Sequence, residues 1–421
     1  MSSKMYISSL IASTLLLAPA AAKNCRNFTV PVDISARTGV FNLAVPQNNL
    51  DIPDLVLNIT KQGQNFTDVV LEGYKTTSGI YNISTQFCTP SEDNSTNPTV
   101  QVLTHGIGFD KAYWDLPLND FNYSYVQVAT DVFKYHTLSF DRLGVGKSSH
   151  GDPVNEIQSF LEVEATAKLT QMLRAGTFPG VNHTYNTVVH VGHSFGSAQT
   201  YSLVNKYPSI SDGVVLTGFS MNSSFIGLFA AGNNLQQAYL NQPLRFSNIN
   251  GSQAQNLIDT YATNLFDYLA PFDLGSLPEP QNTPNGYLVP ANAAANKYLF
   301  LKPQYYDPAI LTLAEQTKQP VTIGELLTLG SVPMMNNFAG PVLVINGDAD
   351  LPFCGSDCLN TGGVAPSIAA MVSKNFPNVN GTNFESYIQP NTGHGINLHY
   401  NVTAAYGVIN GFLNGKGFGS K

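Results

Sequence analysis

The sequence predicts an α/β protein, in which a mostly parallel central sheet has helices on both faces and carries a largely helical insertion. Three observations support this prediction. Short apolar runs alternate with helical segments between residues 99 and 220. One of these runs ends in a Gly-x-Ser-x-Gly turn at residues 192–196, and a helical segment follows it. The strand pattern then stops near Ser220 and resumes at Pro341, which indicates a long insertion between two strands of one sheet.

The first 22 residues have the pattern of a secretory signal peptide. Lys4 supplies a positive charge, an apolar run covers residues 7–18, and the small residues at 20–22 suit cleavage after Ala22. The apolar run is shorter than the roughly 20 residues that a membrane-spanning helix needs. No later stretch is long and apolar enough to span, and residues 415–421 contain no hydrophobic tail. We therefore expect a secreted, extracellular protein without a stable membrane anchor.

The composition agrees with export. The chain has 421 residues, of which 43% are hydrophobic and only 11% charged, and its formal net charge is −8. It contains no cluster of Lys and Arg, so nucleic acid is not an expected partner. Sequons that predict N-glycosylation occur at Asn27, Asn58, Asn65, Asn82, Asn94, Asn122, Asn182, Asn222, Asn250, Asn380 and Asn401. Sugar at these positions would supply the surface hydration that the few charged residues do not.

The chain has four cysteines, at positions 25, 88, 354 and 358. In an oxidising compartment an even number predicts two disulfide bonds, and three pairings are possible. We favour Cys25–Cys88 and Cys354–Cys358. Zinc is the competing interpretation, but Cys-x-x-x-Cys without a second matching pair has poor spacing for a zinc site.

In chain order, residues 28–90 contain alternating runs that predict short strands of an antiparallel meander at 30–34, 40–45, 69–74 and 80–87. Further strands are expected at 99–103, 137–140, 187–192, 213–217, 341–345 and 383–388. Helices are expected within 114–135, at 156–174, after the turn at 192–196, and at 403–413. Residues 221–335 indicate helical fragments with no strong strand. We therefore expect a core domain of residues 23–220 and 336–421, with residues 221–335 inserted as a cap or lid.

Ser194, at the centre of the Gly-x-Ser-x-Gly turn, is the candidate nucleophile. A serine hydroxyl needs a base within hydrogen-bond reach, and the base needs a third group that fixes its tautomer. Asp350 and His394 each follow a predicted strand, and parallel strands present such residues at one edge of a sheet. Asp348 remains an alternative acid and His399 an alternative base.

Four further motifs surround this turn, and with them the chain resembles the capped serine hydrolases of the α/β-hydrolase fold, most of all secreted, glycosylated fungal members. The motifs are His105-Gly106, Asp141 to Ser148, Gly347 to Asp350 and Gly393-His394, and the resemblance covers about residues 99–220 and 336–414. It implies a catalytic triad of Ser194, Asp350 and His394. It also implies an oxyanion hole formed by the backbone N–H groups of Phe195 and Ile107, with Gly108 as the alternative to Ile107.

The expected activity is hydrolysis of carboxylic esters, lactones or thioesters of uncharged, moderately apolar small molecules through an acyl-enzyme. The aromatic content and scarce charge of residues 221–335 indicate an apolar pocket over the serine. A peptidase or a carbon–carbon hydrolase or lyase could use the same triad, and a recognition glycoprotein could use the same scaffold without catalysis. Dehalogenases and epoxide hydrolases are disfavoured because they need a carboxylate where Ser194 stands. No cofactor or metal is expected, and the sequence leaves the oligomeric state open.

Overall fold

The computed structural model describes residues 23–248 and 281–419. The predicted signal peptide (residues 1–22) lies outside the described residues, as do the sequon at Asn250 and Tyr261, Phe266, Tyr268 and Phe272, four aromatic residues of the predicted cap. The strands are β1 (Asn24–Phe41), β2 (Leu71–Thr89), β3 (Thr99–Thr104), β4 (His136–Phe140), β5 (Thr187–His193), β6 (Gly213–Thr217), β7 (Gln236–Gln237), β8 (Tyr287–Val289), β9 (Val321–Thr322), β10 (Val342–Gly347) and β11 (Phe384–Gln389).

Helices connect these strands. They are α1 (Ile52–Ile59), α2 (Phe66–Val70), α3 (Leu118–Phe121), α4 (Tyr125–Gln127), α5 (Ser159–Ala175), α6 (Phe195–Lys206), α7 (Ile226–Asn233), α8 (Ala238–Asn241), α9 (Pro243–Phe246), α10 (Ala293–Phe300), α11 (Pro308–Thr317), α12 (Ile323–Thr328), α13 (Leu351–Cys354), α14 (Ile368–Met371) and α15 (Val402–Gly415). A π-helical turn spans Val128–Val132, and 3₁₀ turns span Lys111–Trp114, Val372–Asn375, Gly381–Asn383 and Ile396–Leu398.

The central sheet has eight strands in the order β1-β2-β4-β3-β5-β6-β10-β11. The pairs from β4 to β11 are all parallel, whereas β2 is antiparallel to both of its neighbours. The central strands are buried along their whole length, as expected when helices cover both faces of a parallel sheet. Successive residues of β6 illustrate this: Val214 packs in the same cluster as Ala198 of α6, and Val215 packs with Ala405 of α15. The predicted fold class is therefore confirmed.

The N-terminal part differs from the predicted meander. Two long strands replace the four short ones, because β1 and β2 pair in one antiparallel register from Asn24 opposite Thr89 to Val40 opposite Gly73. Helices α1 and α2 lie between them. The small and polar residues at 35–39 suggested a break in the sequence, but cross-strand hydrogen bonding carries β1 through them. The helix expected within 114–135 is also divided, into the short helices and turns given above.

Residues 221–335 lie between β6 and β10 and are called the inserted segment below. Its described part is largely helical, from α7 to α12, but β7, β8 and β9 also form a small antiparallel sheet that the sequence did not indicate. Phe246 and Tyr287 are buried in a small cluster of the segment's own. These two aromatic residues therefore serve the packing of the inserted segment itself.

Both favoured cysteine pairs are joined by disulfide bonds, Cys25–Cys88 between the paired ends of β1 and β2 and Cys354–Cys358 just beyond β10. Most described sequon asparagines are exposed, but Asn222 and Asn401 are half-buried. Their side-chain nitrogens donate to Phe353 O (3.3 Å) and Pro390 O (2.6 Å), so sugar at either position would have to break a hydrogen bond. Within residues 23–248 and 281–419, no helix combines the length and the apolar character needed to cross a membrane.

Candidate active site

Ser194 occupies a sharp turn between β5 and α6. Its backbone has φ 54° and ψ −119°, a conformation that costs a non-glycine residue about 1–3 kcal/mol. The turn is tight enough to demand glycine on both sides. A Cβ on Gly192 would lie 2.5 Å from the carbonyl oxygen of Gly196, and one on Gly196 would collide with the carbonyl groups of Thr104 and His105. The Gly-x-Ser-x-Gly pattern is therefore a steric requirement of this turn.

The structure brings His394 and Asp350 to Ser194. His394 Nε2 lies 2.8 Å from Ser194 Oγ, and His394 Nδ1 lies 2.9 Å from Asp350 Oδ2. Asp350 and His394 are fully buried, and Ser194 is 9% exposed. An ionised Asp350 only accepts hydrogen bonds, so the imidazole proton belongs on Nδ1 and Nε2 is free to accept the serine proton.

Further hydrogen bonds fix the Asp350 carboxylate. Oδ1 accepts the N–H of Phe353 at 3.2 Å, and Oδ2 accepts Asn346 Nδ2 at 3.2 Å. Asn346 lies on β10, four residues before Asp350. Asn346 stands next to the Gly347–Asp350 motif, but nothing in the sequence marked it as a partner of Asp350.

The alternative acid, Asp348, contacts groups other than the His394 ring. It accepts the backbone N–H of Thr392 (2.9 Å) and of Asn391 (3.0 Å) and forms an ion pair with Lys302 Nζ (2.7 Å). Burial raises the pKa of Asp348, but the Lys302 and backbone hydrogen bonds outweigh burial and leave the pKa below its ordinary value. Asp348 thus holds the loop that carries His394.

The alternative base, His399, is bound to the same loop. Its Nε2 accepts the N–H of Gly393 and of Lys302, each at 3.0 Å, and its Nδ1 donates to Gly395 O at 2.9 Å. Burial lowers the pKa of His399 to about 4, which keeps its ring neutral. His399 therefore joins the His394 loop to the inserted segment through Lys302.

Ile107 and Phe195 line the same cavity as Ser194. Phe195 is the first residue of α6, so its N–H has no acceptor within the helix. The turn at 105–108 lies directly against the serine, since a Cβ on Gly106 would be 2.9 Å from Ser194 Cβ. His105 fixes that turn: Nδ1 donates to Gly106 O at 2.9 Å, and Nε2 accepts the N–H of Arg142 at 3.1 Å.

Aromatic rings enclose the imidazole of His394. Phe300, Phe229 and Phe353 lie with their ring centroids 5.7–6.0 Å from it, and His193 lies at 5.1 Å. Burial lowers the pKa of His193 well below its ordinary value. Gly218 makes room for both imidazoles, because a Cβ there would lie 3.0 Å from each ring. Phe229 belongs to the aromatic residues of the predicted cap, whereas the sequence did not indicate that Phe300 and Phe353 lie beside His394.

A cavity of about 290 Å³ opens beside Ser194. It is lined mainly by apolar side chains from α1, from the loop after β6, from the inserted segment and from α13; among these are Val56, Ile59, Phe219, Met221, Ile226, Phe229, Ala230, Leu235, Val321, Leu326, Leu329, Val332, Met334 and Phe353. The inserted segment therefore forms much of the wall above the serine. An uncharged, moderately apolar group suits such a site.

A buried ion cluster lies behind Phe195. Arg142 Nη1 contacts Glu162 of α5 at 2.9 Å and also Glu325 of α12. The guanidinium carbon of Arg142 stands 4.9 Å from the centre of the Phe195 ring. Burial, with the charge of Glu325, raises the pKa of Glu162 well above its ordinary value despite Arg142. The cluster connects the core, the inserted segment and a candidate oxyanion residue.

The sequence model of the Alpha/beta hydrolase family matches residues 101–405 of this chain. Among solved structures, an esterase from Thermogutta terrifontis is similar at 14% identity and a TM-score of 0.42, covering 80% of this chain and 94% of its own. A laboratory-evolved variant of potato epoxide hydrolase is similar at 13% identity and a TM-score of 0.44, with 80% and 96% covered. A monoacylglycerol lipase from Paleococcus ferrophilus has 13% identity and a TM-score of 0.43, with 76% and 96% covered. No curated protein matches the chain.

Proposed function

The chain belongs to the alpha/beta hydrolase family, and on this premise we propose that it is a serine hydrolase that cleaves carboxylic esters through an acyl-enzyme. The observation that carries this proposal is the hydrogen-bonded series from Ser194 through His394 to Asp350, with Ser194 facing an apolar cavity. A potato epoxide hydrolase is among the similar structures, but such enzymes need a carboxylate at the position of Ser194. Esters, lactones and thioesters all suit attack by a serine hydroxyl.

In the proposed mechanism, Ser194 Oγ attacks the carbonyl carbon of the ester while His394 Nε2 takes the hydroxyl proton. Asp350 stabilises the imidazolium that forms. The N–H groups of Phe195 and Ile107 donate to the negative oxygen of the tetrahedral intermediate, and one such donor contributes about 10²-fold to 10³-fold in rate. His394 then returns the proton to the leaving alcohol. Water attacks the acyl-enzyme by the same steps and releases the acid.

A fluorophosphonate probe tests this proposal, because it forms a covalent bond with an activated serine. We expect the folded wild-type protein to be labelled and Ser194→Ala to remain unlabelled. A chain-length series of 4-nitrophenyl esters then measures turnover by both proteins. Folded wild-type protein that neither takes the label nor cleaves any ester would contradict the proposal and favour a recognition glycoprotein.

We also propose that the protein is secreted and glycosylated, with residues 221–335 acting as the cap over the site. Its two disulfide bonds and the exposure of most described sequons support export. Lys23, the first residue after the expected cleavage site, is packed into the fold, where its Nζ pairs with Asp115 and lies 3.2 Å from Ser124 Oγ. Expression through a secretory pathway should give a mature chain that begins at Lys23 and loses mass on treatment with an N-glycosidase. A secreted product that retains residues 1–22, or an unchanged mass, would contradict the corresponding part.

A further inference from the structure

One wall of the cavity comes from outside the inserted segment. Helix α1 belongs to residues 42–70, the connection between β1 and β2, which lies within the predicted core domain. Two of its side chains, Val56 and Ile59, line the same cavity as Ser194. The cavity therefore lies between two parts of the chain that are far apart in sequence.

The apolar residues of α1 form one stripe. They follow the i, i+3, i+4, i+7 spacing that places side chains on one face of a helix, and they are Ile52, Leu55, Val56 and Ile59. The first two are buried, at 1% and 6% exposed, whereas Val56 and Ile59 are half-buried. Leu57 lies off this stripe and is 67% exposed. The stripe thus anchors the first half of α1 and presents its second half to the cavity.

Hydrogen bonds on both sides of α1 hold this connection against the inserted segment. Before the helix, Gln237 donates from N to Asn49 Oδ1 at 2.8 Å and from Nε2 to Pro46 O at 2.7 Å. After the helix, Thr67 Oγ1 donates to Leu327 O at 2.8 Å. Because α1 is fixed at both ends, we expect a change in a side chain on its cavity face to alter the room in the cavity.

The C-terminal end of α1 lies next to α7. A Cβ on Gly227 of α7 would be 3.9 Å from Thr60 Cβ, and Thr60 directly follows Ile59. Two residues beyond Gly227, the ring of Phe229 has its centroid 5.9 Å from that of the His394 ring. Helix α1 therefore borders the cavity beside the helix that contacts His394.

The cavity suits an uncharged aliphatic chain. Among the described residues that line it, none is Asp, Glu, Lys, Arg or His. Its volume of about 290 Å³ corresponds to about ten groups of the size of a water molecule, at ~30 Å³ each. A chain of medium length therefore fills it, and the side chains of its walls decide how long that chain can be.

We propose that Val56 and Ile59 of α1 set the longest aliphatic chain that the site accepts. The inference rests on the proposed ester hydrolysis and narrows its substrate class to esters of uncharged, medium-length aliphatic chains, on the acyl or the alcohol side. It assigns specificity to two residues outside the inserted segment. Each further CH₂ group that finds room in the cavity should raise kcat/KM about four-fold, which corresponds to about 0.8 kcal/mol of burial.

Two ester series test this inference. The 4-nitrophenyl esters of linear acids from acetic to dodecanoic vary the acyl chain, and the acetates of linear alcohols from ethanol to dodecanol vary the alcohol chain. In the wild-type protein, kcat/KM should rise with chain length to a limit and then fall in at least one series. Ile59→Ala removes Cγ1, Cγ2 and Cδ1 from the cavity wall, so the limit should move about two to three carbon atoms higher. Esters just beyond the wild-type limit should gain roughly ten-fold. Val56→Ala should move the limit in the same direction, and Ile59→Trp should lower it.

Leu57→Ala is the matched control. It removes as many carbon atoms from the same helix, but from the side that faces solvent, so the wild-type limit should remain. Leu55→Ala controls for stability, because Leu55 belongs to the buried cluster beneath α1. It should unfold at a lower urea concentration and keep the limit. A limit that is unchanged in both series for Ile59→Ala and Val56→Ala would overturn the inference. An equal shift in Leu57→Ala or Leu55→Ala would overturn it as well, because general loosening of the helix would then explain the change.

Binding separates failure of this inference from failure of the proposed catalysis. If the wild-type protein cleaves no ester, calorimetry with 1-hexanol, 1-octanol and 1-decanol still reports on the cavity wall. Relative to 1-hexanol, the longest alcohol should then bind Ile59→Ala roughly ten-fold more tightly than it binds the wild-type protein, and Leu57→Ala should match the wild-type protein. That result would support the chain-length limit without catalysis. The same ratio of affinities in all three proteins would overturn the inference by itself.

Discussion

The ends of the central strands and the inserted segment contribute to the site in different ways. At the strand ends, backbone geometry sets the positions: Ser194 N donates to Thr217 O at 2.9 Å, and Phe353 N donates to Asp350 at 3.2 Å. The inserted segment instead presents side chains to the cavity, such as Phe229 and Asn233. We infer that changes at the strand ends alter the rate for every substrate, whereas changes in the inserted segment alter which substrate is preferred.

Two of the places where the two regions join combine both kinds of contact. One is the Arg142–Glu162–Glu325 cluster. The other is the loop around His394, where Gly395 N donates to Phe300 O at 2.9 Å and His399 accepts the N–H of Lys302. Changes at these junctions should affect stability and rate together, and the following variants test that division.

The largest effect is expected at Asp350. Asp350→Asn keeps the shape of the side chain but no longer stabilises the Nδ1–H tautomer and the cation of His394, so kcat/KM should fall about 10⁴-fold. This corresponds to about 5.5 kcal/mol of transition-state stabilisation. Steady-state kinetics on the best 4-nitrophenyl ester measures it.

Asp348→Asn is the matched control, because the two carboxylates lie on the same turn. It weakens the ion pair with the partly exposed Lys302 and should lower the free energy of unfolding by about 1 kcal/mol. Its kcat/KM should stay within about ten-fold of the wild-type value. Loss of activity in Asp348→Asn with activity retained in Asp350→Asn would reverse the assignment of the acid.

The next largest effect is expected at the ion cluster. Arg142→Met leaves Glu162 and Glu325 buried next to each other without a cation, which should cost about 3–5 kcal/mol of stability. Urea unfolding measures the loss. Adding Glu162→Gln and Glu325→Gln removes the unpaired charges and should restore part of it. A single variant that is as stable as the wild-type protein would show that the cluster does not join the two regions.

The site residues at the strand ends could be predicted from the sequence better than those at the junctions. The reason is that local steric constraints fix the residues at the strand ends. Gly192 and Gly196 are needed by the turn itself, so the motif and the position of Ser194 could be read from neighbouring residues. Arg142 and Glu325 are 183 residues apart, and nothing near either one predicts the other. Likewise, the N–H groups of Gly393 and Lys302 both donate to His399, but they belong to a loop and to the inserted segment, which meet only in the folded chain.

Long-range pairing also explains the error in the N-terminal strands. Residues 35–39 have weak strand propensity. They nevertheless lie within β1, because each of them pairs with one of residues 74–78 of β2. Propensity is a property of a short window, whereas the register of two long strands is set by all their pairs. The small sheet of the inserted segment was missed for the same reason, since its strands are only two or three residues long.

Removing one or the other disulfide bond should affect stability and activity differently. Loss of Cys25–Cys88, which closes a loop of 63 residues, should cost about 4 kcal/mol, and loss of Cys354–Cys358 about 2 kcal/mol. The second disulfide lies directly after the turn that carries Asp350 and is hydrogen-bonded to it: Cys354 N and Ser356 N donate to Asp350 O, and Cys358 N donates to Asp348 O.

We therefore expect the Cys354→Ala, Cys358→Ala variant to lose activity at a lower urea concentration than that at which it unfolds. In the Cys25→Ala, Cys88→Ala variant the two transitions should coincide. Parallel activity and fluorescence measurements across a urea series distinguish these outcomes. Full turnover and normal melting of the first variant would exclude a role for that disulfide at the acid turn.

A small effect that depends on pH is expected at His399. Burial lowers the pKa of His399 to about 4 in the folded protein, while the unfolded chain has the ordinary value near 6.5. The unfolded state therefore takes up the proton first, so the stability contributed by this residue is complete above pH 6.5 and declines as the pH falls towards 4. One pH unit below 6.5 corresponds to about 1.4 kcal/mol.

His399→Gln keeps an acceptor for the N–H groups of Gly393 and Lys302 but does not titrate. Its stability relative to the wild-type protein should rise by about 1.2 kcal/mol between pH 7 and pH 5.5 in urea unfolding. A constant difference across that range would mean that His399 does not hold the junction as a neutral acceptor.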